Sequence, residues 1–219
     1  MFKPDFWQKR MKYKLVIFDF DGTLADSFPW FTNALNKAAD KFHFRRCEEN
    51  EIEHLRSLDI KSIMKKLKIS FWKAPMIVAY MRSNMTADIA NTKLFEGISN
   101  LLERLADKET ILALVTTNSH ENVIKVLGEK NASLFSHYEC GVDVFGKGHK
   151  FKKILAKTHL TASEAICIGD EIRDIEAAKL ARIDSGAVSW GYTTFETLKK
   201  YSPAKLFTTI EEIYEQVVF

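Results

Sequence analysis

Leu15-Val16-Ile17-Phe18 is a short apolar run, β-branched and aromatic in character, that passes directly into Asp19-Phe20-Asp21-Gly22-Thr23. Four successive apolar residues leave no polar face, so the segment suits a strand covered on both sides, with the acids in the loop at its end. From Leu94 onward, helix and strand patterns trade places. Helices are expected over 98–105, about 121–129, 172–181 and 210–218, and strands over 111–115, 165–168 and 185–189, with one further short strand somewhere in 134–144. Repeated βα units require crossover connections, which implies a parallel sheet with helices on both faces.

Residues 27–91 differ in kind: they are rich in Lys, Met and aromatic side chains, Pro29 and Pro75 are their only strong breakers, and no strand pattern is visible. Three or four helices are expected there. The fold class read from this order is α/β, a Rossmann-like parallel sheet core with an α-helical cap inserted after the first strand. The core takes 13–26 and 92–219, the cap 27–91, and residues 1–12 form an N-terminal extension. Such a cap stands over the carboxyl ends of the strands, where open α/β sheets bind ligands.

At 219 residues and 46% hydrophobic composition the chain has enough apolar material for a core. A formal charge of +3 is too mild to indicate nucleic-acid or membrane binding, and neither partner is expected. The apolar runs are strand-sized, and the N-terminal residues alternate apolar and charged without a secretory pattern. Cys47, Cys140 and Cys167 are odd in number and form no CxxC pair, which fits a reducing, cytoplasmic setting.

Asp19 and Asp21 are two apart after a strand, so in an extended segment both side chains face the same side. Cleavage of a phosphate ester needs a nucleophile, a proton donor for the leaving oxygen, and positive charge around the phosphoryl oxygens. These two acids supply the first two, Gly22 permits a sharp turn, and Thr23 adds a hydroxyl nearby. A second acidic pair, Asp170 and Asp174, follows the 165–168 strand, and hard carboxylate oxygens in a compact group suit Mg²⁺. Alone, each pair reads equally well as turn or helix-start capping; together they are more specific.

Phe18 to Ser27, Leu114-Val115-Thr116-Thr117-Asn118, Lys147, and Gly169-Asp170-Glu171-Ile172-Arg173-Asp174 stand in one order along the chain. In these segments the sequence resembles the haloacid-dehalogenase-like hydrolase superfamily, particularly its phosphoglycolate-phosphatase-like branch. The resemblance implies a phosphatase acting on a small phosphorylated metabolite through an aspartyl-phosphate, with Mg²⁺ as cofactor. It assigns Asp19 as nucleophile and Asp21 as general acid and base. Thr116, with Thr117 and Asn118, and Lys147 are assigned to the phosphoryl group, and Asp19, Asp21 through its main-chain carbonyl, Asp170 and Asp174 to the metal. Relatives often carry Lys-Pro where this chain has Lys147-Gly148; Lys150 is the competing lysine, and the flanking glycines favour Lys147.

Other readings separate on single features. A dehalogenase of the superfamily lacks the second acid, so Asp21 argues against it. A phosphomutase of the β-phosphoglucomutase type keeps both acids, and a regulatory protein on an inactive fold stays open because fold does not fix function. Phe28, Trp30 and Phe31 read as pocket wall or as packing, as does Trp190-Gly191-Tyr192. Ile60, Ile63, Met64 and Leu67 make an apolar helix stripe beneath the basic run 61–68. His120 and His149 lie near the phosphate-binding segments without metal-ligand spacing.

Overall fold

The computed structural model describes residues 11–142 and 146–219. Of the N-terminal extension expected over 1–12, residues 1–10 lie outside them. The first strand, β1, spans Leu15–Phe18 and is buried along its length. β2 (Ala25–Asp26) follows, and the chain then forms α1 (Phe28–Phe42), α2 (Ile52–Arg56), α3 (Ile60–Lys66) and α4 (Ala74–Asp88) before β3 (Lys93–Leu94). The remainder is α5 (Ile98–Ala106), β4 (Ile111–Val115), α6 (His120–Ala132), β5 (Phe135–Glu139), α7 (Lys147–Thr158), β6 (Ala165–Gly169), α8 (Ile172–Ala181), β7 (Asp184–Val188), α9 (Phe195–Lys200), β8 (Lys205–Phe207) and α10 (Ile210–Val218).

Six strands form one sheet in the order β5-β4-β1-β6-β7-β8, every neighbouring pair parallel. The chain builds outward from β1 through β4 to β5, then crosses back to β6 and builds the other way. The switch point therefore falls between β1 and β6, and it opens a crevice at their carboxyl ends. Asp19 leaves β1 there and Asp170 leaves β6.

Side-chain alternation divides the core. Val16, Phe18, Leu112, Leu114, Ile166 and Ile168 face α5 and α10, whose Leu101, Leu105, Ile213 and Val217 cover them. Leu15, Ile17, Ala113, Val115 and Cys167 face α7 and α8. A strand buried on both faces has no room for a polar position, which is why β1 reads as unbroken Leu-Val-Ile-Phe. The helices between β2 and β3 have a core of their own, in which Leu35, Ala38, Ala39, Leu55, Leu67 and Ile77 meet.

The expected strands at 15–18 and 111–115 and helices at 172–181 and 210–218 have the observed bounds, and the strand sought in 134–144 is β5. The chain enters and leaves the helical block through a pair of short strands: β2 and β3 form a two-stranded antiparallel ribbon through Ala25↔Leu94 and Asp26↔Lys93. Strand β8 and helix α9 went unread, because three and six residues are too short to show a period. Gly148 also has a different reason from the one read in the sequence. A Cβ there would come 2.6 Å from Leu180 Cδ2, so this glycine lets α7 and α8 pack closely. Among the described residues no helix is long and apolar enough to cross a membrane.

Candidate active site

Asp19 is the first residue beyond β1, and its amide still donates to Ile168 O at 2.9 Å, as though the ladder ran one step further. That bond fixes its backbone against β6. Its Oδ1 accepts from the Phe20 amide at 2.7 Å, and its Oδ2 lies 2.6 Å from Lys147 Nζ. The same ammonium is 2.6 Å from Asp174 Oδ1. Lys147 is 2% exposed, Asp19 3%, Asp174 2% and Asp170 fully buried.

Lys147 opens α7, and Asp174 stands in the first turn of α8, where Glu171 and Asp174 form a reciprocal capping box. The capping reading of this acid therefore holds as well: Asp174 Oδ2 accepts the Glu171 amide while Oδ1 faces Lys147. Asp170 is held by neutral donors, Thr23 Oγ1 at 2.6 Å and the Tyr192 amide at 2.7 Å. Gly22 has φ +77°, and a Cβ on it would come within 2.3 Å of Asp170 Oδ2. A Cβ on Gly191 would meet Asp170 Cβ at 2.1 Å. Two glycines thus make the space in which this carboxylate stands.

Oxygens of Asp19, Asp170 and Asp174 all lie within 4.8 Å of one another. Burial raises the Asp19 carboxyl to about 7, with Lys147 pulling it back down and Asp174 pushing it up. Burial, reinforced by Glu171, Asp19 and Asp174, drives Asp170 well above the usual carboxylate range. Burial opposes the Lys147 charge, yet Asp174 and Asp19 hold its pKa above the ordinary lysine value. Three buried carboxyl groups share one ammonium, Asp170 has no cationic partner among the described residues, and a bound cation would favour the ionised forms that burial opposes. This donor set fits a divalent cation of the Mg²⁺ type.

Asp21 stands apart from that cluster. Its carboxylate accepts from Asn118 Nδ2 at 3.0 and 3.3 Å, and burial raises its pKa while bonds from Ser27 and Asn118 oppose the rise. Thr116 is the first residue after β4, and its Oγ1 accepts the Asn118 amide at 3.0 Å. That turn presents the Asn118 side chain to Asp21. Thr117 and Asn118 line a cavity of about 160 Å³ together with Asp21. Lys150, the competing lysine, pairs instead with Glu139 at 3.1 Å near the surface.

Several residues of the site were not singled out from the sequence. Arg173 pairs with Glu171 and faces the cluster, where Glu171, Asp19 and Asp174 hold its charge against the cost of burial. It lay inside the quoted 169–174 segment, so its signal was present. Arg82, Met81 and Met85 of α4 line the cavity over Asp21, and no spacing linked them to the acids 60 or more residues away. Of the two-way aromatics, Trp30, Phe31 and Tyr192 line that cavity, while Phe28 packs edge-on against Tyr192 at 5.1 Å. His120 lies edge-on to Tyr138 at 5.2 Å.

Comparison with known proteins adds a family. Residues 16–188 match the model of the haloacid dehalogenase-like hydrolases. Phosphoglycolate phosphatase of Synechococcus elongatus is 27% identical over 92% of this chain and 96% of its own length. Tyrosine-protein kinase PtkA of Mycobacterium tuberculosis is 25% identical over 92% of this chain and 72% of its own. A haloacid dehalogenase-like family hydrolase from Streptococcus pneumoniae superposes with a TM-score of 0.76 at 22% identity, covering 93% of this chain and 98% of that one.

Proposed function

The chain belongs to the haloacid dehalogenase-like hydrolase family and is a phosphoric monoester hydrolase, and we propose that it cleaves small-molecule phosphomonoesters through a phosphorylated Asp19. The observation that carries this is a division of labour between two acids two residues apart. Asp19 is held in the carboxylate and lysine cluster, whereas Asp21 turns to Asn118 and the cavity.

In the first step an oxygen of Asp19 attacks phosphorus, the bond to the leaving oxygen breaks, and Asp21 delivers its proton to that oxygen. In the second, Asp21 takes a proton from water as the water attacks phosphorus. The Asp19–phosphorus bond then breaks, and phosphate leaves. Burial favours the protonated form of Asp21, which is the form the first step needs. Lys147 fixes the Asp19 carboxylate and adds positive charge near the phosphoryl oxygens, and Thr116, Thr117 and Asn118 offer donors at the facing strand end. Asp19, Asp170 and Asp174 with the Asp21 carbonyl would hold Mg²⁺, which supplies neutralising charge for the phosphoryl oxygens when bound. Residues 27–91 act as a cap over this site.

Release of inorganic phosphate from p-nitrophenyl phosphate tests the reading. Turnover should require Mg²⁺ and vanish in Asp19→Asn while the far-ultraviolet spectrum is unchanged. Release of phosphate at an undiminished rate in EDTA would refute the metal assignment.

A further inference from the structure

The cavity over Asp21 does not end at the polar residues. Its far wall is Trp30, Phe31, Ile60, Val78, Met81 and Met85, all from the helices between β2 and β3. Phe31, Ile60, Val78, Met81 and Tyr192 are also the near wall of a second cavity of about 210 Å³. Beyond that shared wall the lining includes Leu35, Leu55, Ile63, Met64 and Ile77. Protein interiors rarely keep voids much larger than a water molecule, and an apolar cavity of roughly 150 Å³ is enough to hold benzene.

Two polar side chains bordering the second cavity, Arg56 and Tyr192, are already engaged. Arg56 donates to Gly191 O at 2.8 Å and Tyr192 O at 3.1 Å, and also pairs with Glu53. Tyr192 Oη is bonded to Ser27 Oγ at 3.0 Å. A polyhydroxylated group entering here would lose water and gain few partners. Tyr192 links the cavity to the chemistry. Its amide is bonded to Asp170 at 2.7 Å, and its ring packs edge-on against Phe31 at 5.0 Å in the shared wall. Met81 and Met64 are unbranched and adjust to an irregular occupant.

Building on the phosphatase reading, we infer that the preferred substrates are phosphate esters of apolar alcohols, whose aryl or branched alkyl tail seats in the second cavity while the phosphate meets Asp19. Phe31, Met81 and Tyr192 are the specificity-determining residues. The ester oxygen lies at Asp21 and the tail runs past Met81 away from water, so small polar esters leave most of the cavity unfilled.

Primary alkyl esters of similar leaving-group reactivity test this: ethyl phosphate, glycerol 3-phosphate, 2-phosphoglycolate, 3-methylbutyl phosphate and 3-phenylpropyl phosphate, each with Mg²⁺. Each methylene moved from water into an apolar site is worth about fourfold. kcat/KM for 3-phenylpropyl phosphate should therefore exceed that for ethyl and glycerol esters by at least about tenfold, chiefly through KM. Ile63→Trp, which fills the second cavity far from the acids, should erase that ratio. The alcohol 3-phenylpropanol should inhibit the unaltered enzyme competitively against 3-phenylpropyl phosphate, a readout that does not depend on the variant folding. Hydrolysis of all five esters with equal kcat/KM, or a preference for glycerol 3-phosphate or 2-phosphoglycolate, overturns the inference and leaves the phosphatase reading standing. Release of phosphate from none of the five overturns the inference, and if p-nitrophenyl phosphate is left intact as well it overturns the phosphatase reading too.

Discussion

Replacing Lys147 by Met removes one charge from the most buried ionic group in the described structure while nearly keeping the side chain's length. Its ammonium lies 2.6 Å from both Asp19 and Asp174 at 2% exposure, and Asp170 stands beside them without a cation of its own. Taking away one partner of a buried pair leaves uncompensated charge and costs about 3–5 kcal/mol. For a chain of this size each kcal/mol moves Tm by about 2–4 °C, so Lys147→Met in EDTA should melt about 6–20 °C below the unaltered protein. Mg²⁺ at 100 times its Kd stabilises by about 2.7 kcal/mol, and it should recover part of the loss because the same oxygens then bind the ion. Lys150→Met is the control: its Nζ is near the surface, and Glu139 keeps Lys153 and Lys157 as partners, so the loss should be about 0–1 kcal/mol. Urea and thermal denaturation of both variants, with EDTA and with Mg²⁺, give the comparison. A Lys147→Met protein within about 1 kcal/mol of the unaltered one in EDTA would refute the view that this lysine neutralises the cluster.

Gly22→Ala should cost about 1–2 kcal/mol from the left-handed backbone alone. It should also weaken Mg²⁺ binding in calorimetry, because the added methyl meets Asp170. Arg56→Ala removes two bonds from a charged donor to the 191–192 carbonyls, worth about 1.5–3 kcal/mol each, and should speed amide exchange at 190–194. Glu164 is held down to about 2 by Lys14, with help from Thr161. A depressed carboxyl stabilises the fold above its unfolded value of 4.5 and loses that contribution as pH falls toward 2. Glu164→Gln should therefore flatten the dependence of the urea midpoint between about pH 4.5 and 2 and leave its slope near neutrality unchanged.

The parts of this architecture legible in the sequence are those with a long or sharp signature. β1 announces itself because a strand buried on both faces admits only apolar residues, and the acids that follow mark its end. The quoted acidic segments place Asp19, Asp170 and Asp174 in one cluster because the loops after β1 and β6 meet at the switch point. The ribbon of β2 and β3 was hidden because two residues have no periodicity and their pairing spans more than 65 positions. Tyr192 and Met81 were equally invisible as neighbours: only the packing of α4 against α1 and the loop after β7 brings them to one wall. Between Lys147 and Lys150 the flanking glycines already favoured the first, and the structure buries Lys147 against Asp19 and Asp174 while Lys150 pairs with Glu139.

The covalent role of Asp19 is open to direct inspection. In Asp21→Asn, where water is no longer activated, rapid acid quenching after mixing with Mg²⁺ and p-nitrophenyl phosphate, whose leaving group needs no proton donor, followed by peptide mass spectrometry, should find a phosphoryl increment on Asp19 within the first turnover. Phosphate released with no phosphoryl group on the Asp19 peptide at any time, or the increment placed on a different residue, would contradict the account.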